Sequence, residues 1–145
     1  MNFAGVITHS VDIPAVPDEV FDRLLAEARD SNLDSSFEYW EPRQWPPSVG
    51  TRNDFKVRLG VISMRGVSRF AEFDPPRSLL IESAKPVWPF FTRMSWDLVP
   101  AGRGTRYTYR MEIDAAPGFR WLARSMLQRY DTRIANDVKV LATLF

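Results

Sequence analysis

The sequence predicts an α+β fold: a curved antiparallel sheet of seven strands wrapped around one long C-terminal helix, with two short helices after the first strand. Two observations lead there. From Gly118 to Phe145 apolar residues recur at spacings of three and four, as on one face of a helix. From Phe37 to Asp114 the chain instead breaks into short alternating segments divided by Gly and Pro turn signals. At about 1.5 Å rise per residue the helix would span roughly 42 Å, too long for a surface ornament on a chain of 145 residues. Its apolar side reads Phe119, Leu122, Ala123, Met126, Tyr130, Ile134, Asp137, Leu141 and Leu144. Arg120, Arg124, Gln128, Thr132 and Lys139 fall mainly on the other side.

In chain order, Phe3 to Ile13 alternates, with Ile7, His9, Val11 and Ile13 on one face and Thr8, Ser10 and Asp12 on the other. Pro14 closes that strand. Pro17 suits the first position of a helix, where its missing N–H costs nothing, and Asp18 and Glu19 complement the positive end of the helix dipole. Val20, Phe21, Leu24, Leu25 and Ala28 form its apolar face. Ser31 to Ser36 is expected as the second short helix.

Six strands follow. Phe37 to Trp45 is stopped by Pro46 and Pro47, and Thr51 to Leu59 places Phe55, Val57 and Leu59 on one face. Ile62 to Phe73 comes next, with Gly66 expected to permit a bend or bulge. Asp74-Pro75-Pro76 is a turn before Ser78 to Ala84. Lys85 to Phe91 is expected as an apolar loop, and Thr92 to Val99 gathers Met94, Trp96 and Leu98 on one face. After a turn at Ala101 to Gly104, Thr105 to Ile113 has the cleanest alternation of all. Tyr107, Tyr109, Met111 and Ile113 face one way, and Arg106, Thr108, Arg110 and Glu112 the other. Short connections imply an antiparallel meander with one dry face, and the terminal helix is the only element long enough to cover it.

Composition narrows the classes of function. With nineteen basic and eighteen acidic side chains the net charge is +1, which argues against a nucleic-acid binder, since those carry a basic surplus. The absence of Cys excludes disulfides, thiolate metal sites and a Cys nucleophile. A single His weakens any metal site further. No basic start precedes an apolar run, so no signal peptide is read, and the longest apolar run, Val87 to Phe91, is far short of a membrane span. Cytoplasmic location and no stable membrane insertion are therefore expected. With no repeat, linker or low-complexity segment, residues 1–145 read as a single domain.

Several turn and capping signals stand in a familiar order. They are Ile13-Pro14-Ala15-Val16-Pro17-Asp18-Glu19-Val20-Phe21, Gly50-Thr51, Phe73-Asp74-Pro75-Pro76, Gly104-Thr105 and the closing helix. In these the chain resembles, over nearly its whole length, the START-like and birch-pollen-allergen-like helix-grip superfamily, which includes polyketide cyclases and lipid-transfer domains. The resemblance implies a cavity between sheet and helix that takes a hydrophobic small molecule, with no obligate cofactor.

The inward set read from the alternation is Phe55, Val57, Met94, Trp96, Tyr107, Tyr109, Met111, Met126 and Tyr130. Taken together they suit a ligand-binding wall, apolar and adaptable through Met, with phenol hydroxyls to orient a guest. Taken singly each also suits plain core packing, because periodicity selects dry positions and does not distinguish the two uses. His9 lies on the apolar face of the first strand, and no orienting carboxylate is visible beside it, so it reads as a satisfied, partly buried histidine rather than a general base. Asp137 interrupts the helix stripe. It is either an acid or base in a dry pocket or the partner of Arg133 one turn earlier, and the pair is the simpler account.

Val87, Trp88, Pro89, Phe90 and Phe91 serve equally as a lid, as a foot on a membrane or partner, or as a cap on the core. This loop, the turn near Gly60 and the approach to the helix near Pro117 are expected at one end of the sheet. Three functions remain open: a carrier of a lipid, polyketide or isoprenoid-like molecule; a cyclase or dehydratase working through Tyr109, Tyr130, Asp137 or His9; and a module that binds a protein partner. No metal-ligand spacing, phosphate cradle or nucleophile elbow is present, and the catalytic residues are not identified.

Overall fold

The computed structural model describes residues 5–31, 37–59, 61–85 and 89–145. Its elements are β1 (Gly5–Ile13), α1 (Pro17–Ser31), β2 (Phe37–Pro42), β3 (Arg52–Leu59), β4 (Ile62–Asp74), β5 (Ser78–Lys85), β6 (Phe90–Ala101), β7 (Gly104–Ala115) and α2 (Arg120–Ala142). The strands form one sheet in the order β1-β7-β6-β5-β4-β3-β2, with every neighbouring pair antiparallel. Strands β2 to β7 are thus the expected meander. Strand β1 lies outside it, paired with β7 at the far edge from β2, so the segment containing α1 carries the chain from one edge of the sheet to the other.

Helix α1 begins at Pro17 with Asp18 and Glu19 in its first turn and Arg29 in its last, a charge order that follows the helix dipole. Its buried face is Val20, Phe21, Leu24, Leu25 and Ala28. Helix α2 packs against β1 and β7 through Ala123, Leu127, Tyr130, Ile134, Val138 and Leu141, all buried at spacings of three and four. Gly5 makes this approach possible, because a Cβ there would run into the Leu127 side chain. Farther along the same line, His9 Nε2 lies 2.6 Å from Asp131 Oδ1. On the convex face, the Arg43 guanidinium forks onto Asp54 at 2.9 and 2.8 Å, tying the end of β2 to β3. The hydrogen bonds from Arg43 hold the Asp54 carboxyl below the usual carboxylate range.

Some expected boundaries move. Helix α2 has 23 residues, a length of about 34 Å, rather than the whole of Gly118 to Phe145. Gly118 has φ +89°, which no helical residue adopts, and at the other end Thr143 N donates to Val140 O in a tighter final turn. Strand β6 starts at Phe90 instead of Thr92, because β7 continues to Ala115 and supplies Asp114 and Ala115 as ladder partners. Phe90 and Phe91 are therefore strand residues, not loop. Strand β2 ends at Pro42 rather than Trp45. The bulge expected from Gly66 falls just after it, between Val67 and Ser68. Pro89 O accepts from Ala116 N at 2.8 Å, joining the β5–β6 connection to the approach of α2. The second short helix expected over Ser31 to Ser36, the turn at Gly60, and Val87 and Trp88 lie outside the described residues.

The corner between β1 and α1 is clamped by the start of β7. Thr105 Oγ1, fully buried, donates to Ala15 O at 2.7 Å. Gly104 sits so close to Ile13 that a Cβ would overlap the Ile13 carbonyl, which cannot move without breaking the β1–β7 ladder. Gly104→Ala is expected to cost about 1–3 kcal/mol, the usual penalty for overfilling a packed site. Gly102→Ala meets no atom within 4 Å and is expected to cost less, about 1–2 kcal/mol, from its φ of +60° alone. Urea denaturation of both variants measures the difference; equal losses would contradict the clamp.

Candidate functional site

The alternation of the strands places one side chain in two on the concave face, and the curvature of the sheet turns that face toward α2. Between them lies a cavity of about 150 Å³. Its sheet wall comes from Phe55 and Val57 on β3, Met94 and Trp96 on β6, and Tyr107, Tyr109 and Met111 on β7. Met126 and Tyr130 on α2 form the opposite side. All nine residues of the inward set read from the sequence therefore meet around one space. Phe55, Trp96, Tyr107, Tyr109, Met111 and Tyr130 are buried, whereas Val57, Met94 and Met126 keep part of their surface accessible.

Aromatic packing stiffens the wall. Trp96 stacks edge to face between Phe21 of α1 (6.2 Å between ring centres) and Tyr107 (6.3 Å), so the floor of the cavity is tied to the first helix. Phe70 continues the layer through Phe73, 5.4 Å away, and Phe73 lies 5.7 Å from Phe21. These ring contacts join the wall and α1 in one aromatic layer.

Sequence reasoning missed part of the lining. Trp40 on β2, Met64 on β4, Leu79 and Ile81 on β5, Phe90 on β6 and Ile134, Val138 and Leu141 on α2 also border the space. So do three hydroxyl residues, Ser68, Ser83 and Thr92. Their signal was available: Ser68 stands two residues before Phe70, and Ser83 two after Ile81, at inward positions of alternating strands. Phe90 is a buried part of the cavity wall, which answers for that residue whether the apolar connection caps the interior.

The two polar residues weighed from the sequence land differently. Asp137 borders the cavity, while Arg133 is exposed, and no ion pair joins them among the described residues, so the simple helix pair does not form. The reason is direction: Asp137 faces the sheet with the apolar stripe, and Arg133 faces solvent. His9 is not part of the cavity wall. It does have a carboxylate beside it, contrary to the reading from sequence; Asp131 arrives from α2, 122 residues away in the chain. That contact fastens helix to sheet on the side of β1 and brings no nucleophile with it. Among the described residues no cluster of His, Asp or Glu is placed to hold a metal ion, and no helix is long and apolar enough to cross a membrane.

The same arrangement recurs in known structures. The chain superposes on the Thermus thermophilus protein TTHA0849 with a TM-score of 0.75 at 19% identity, covering 96% of this chain and 95% of that one. The Zhui aromatase/cyclase of a Streptomyces strain matches with a TM-score of 0.72 at 16% identity, over 96% of this chain and 93% of that one. Norcoclaurine synthase from Thalictrum flavum, in truncated form, gives 0.70 at 16% identity, over 97% and 92%. Identities this low establish a shared helix-grip fold. A search of curated proteins returned no sequence match. The sequence model described as polyketide cyclase / dehydrase and lipid transport, however, matches residues 4–142. The strand order, the terminal helix and a match over nearly the full length agree, and the chain belongs to that family.

Proposed function

We propose that this chain binds or carries a hydrophobic small molecule, lipid-, polyketide- or isoprenoid-like, held between the sheet and α2. The observation that carries the reading is the void itself. Apolar side chains that face an open space forgo the contacts that close packing would give them. Apolar burial of a guest recovers that loss. Size limits the guest: about 150 Å³ is the volume of an engineered cavity that accepts benzene. One ring or a short branched chain therefore fills the interior, and anything longer extends past wall residues with accessible surface, Val57, Met94 and Met126 among them.

A second reading, an enzyme of the cyclase or dehydratase kind, is favoured by Asp137. It stands on the wall of an otherwise apolar space that also contains Tyr109 and Tyr130. A carboxylate and phenols around a folded, flexible substrate supply positioning and proton transfer. Zhui, a structural neighbour, is an aromatase/cyclase, and this supports the reading by analogy of fold alone.

The carrier reading is tested by native mass spectrometry of freshly purified protein together with titration of an apolar fluorescent naphthalene probe. Binding is expected in the wild type and at least a tenfold loss in Met126→Trp, with Tm unchanged or raised because the indole fills the void. Ile134→Phe serves as a second filler. Tight binding retained in both folded fillers would contradict the assignment. For the enzyme reading, Asp137→Asn and Tyr130→Phe are expected to abolish turnover of a linear poly-β-keto substrate while probe binding persists. Turnover unchanged in both would remove those residues from any catalytic role.

A further inference from the structure

Among its apolar side chains the concave face carries a transverse row of small polar ones. Asn53 on β3 pairs with Ser68 on β4, Ser68 pairs with Ser83 on β5, and Ser83 meets Thr92 on β6. The row thus crosses four neighbouring strands at one height. Three of its members border the cavity, and the fourth, Asn53, is completely buried behind Ser68. A core with no polar task has little use for such a row, since each hydroxyl or amide taken from water costs free energy unless it is fully bonded.

The bonding is incomplete in an informative way. Asn53 Nδ2 lies 3.2 Å from Ser68 Oγ, and Asn53 Oδ1 has no partner among the described residues. In this orientation the amide donates and Ser68 Oγ accepts. The Ser68 hydroxyl hydrogen is then left over, with no acceptor among the described residues. Beside it, Thr92 N donates to Ser83 Oγ at 3.0 Å, and the two hydroxyls bond to each other at 3.1 Å, which fixes the far half of the row.

We infer that this row is a carbonyl-recognition subsite: Ser68 donates its hydroxyl hydrogen to a keto, ester or aldehyde oxygen of the otherwise apolar guest, and Asn53 orients that hydroxyl from behind. The inference rests on the proposal that the cavity holds a small molecule, and adds which functional group the molecule presents and where. A carbonyl is chosen over an alcohol or amine because the row offers a hydrogen with no acceptor at the cavity surface, whereas the unpartnered acceptor, Asn53 Oδ1, is sealed away. Ser68 acts here as a binding residue, with no covalent step.

The test uses acetophenone and α-methylstyrene, molecules of nearly equal size in which C=O is replaced by C=CH₂. Both are titrated by NMR against the intact chain and against Ser68→Ala. One neutral hydrogen bond is worth about three- to tenfold in affinity. Ser68→Ala is expected to weaken acetophenone by that factor and leave α-methylstyrene unchanged, and Asn53→Ser, if folded, to give a smaller loss of the same kind. Equal effects on both ligands, or none on either, would overturn the subsite while leaving the cavity as a binding site. If neither ligand binds the wild type, the cavity proposal fails and the subsite with it.

Discussion

Helix α2 is too narrow to cover the sheet it lies on, and the rest of the molecule follows from that mismatch. A helix with its side chains is about 10–12 Å across, whereas seven strands at about 4.8 Å spacing make a surface several times wider. The helix is drawn to one side, onto β1 and β7. There Gly5 makes room for Leu127, and Asp131 reaches His9. The concave surface over β3 to β6 has to be filled by side chains alone. Phe55, Phe70 and Trp96 fill most of it, with Phe21 of α1 behind them, and a space remains where they stop short of Met126 and Tyr130. The cavity is what is left when a helix meets a sheet of this curvature off centre.

The fold was legible because its signals are local. Each turn is marked by Gly or Pro, and each strand by strict alternation, as in Tyr107, Tyr109, Met111 and Ile113. The placement of β1 beside β7 was not legible, since no residue in either strand announces its partner; it follows from the crossover through α1. Boundaries slipped for a similar reason. Phe90 and Phe91 look like loop residues just after Pro89 and become strand only because β7 extends far enough to pair with them.

The nine wall residues were legible as inward positions, since alternation and helical spacing report facing directly. What they surround was not, because dry residues look alike whether they pack on each other or around a void. The hydroxyl residues escaped notice because Ser and Thr on a strand usually face solvent, although alternation with Phe70 and Ile81 already places Ser68 and Ser83 inward. Asp137 was misjudged because an i,i+4 partner in the sequence is visible and a cavity is not. His9 shows the same limit from the other side: its carboxylate lies on α2, beyond the reach of any local pattern.

In the function proposed here, burial against the aromatic wall supplies affinity, and the row of hydroxyls and one carboxylate supply selection. The proposed function depends on an open, apolar space between α2 and the sheet. Xenon-derivatised diffraction tests this most directly, because the atom enters only dry cavities large enough to hold it. A xenon peak is predicted among Trp96, Tyr109, Met126 and Tyr130. A well-ordered crystal with side chains filling that position and no peak there would contradict the account.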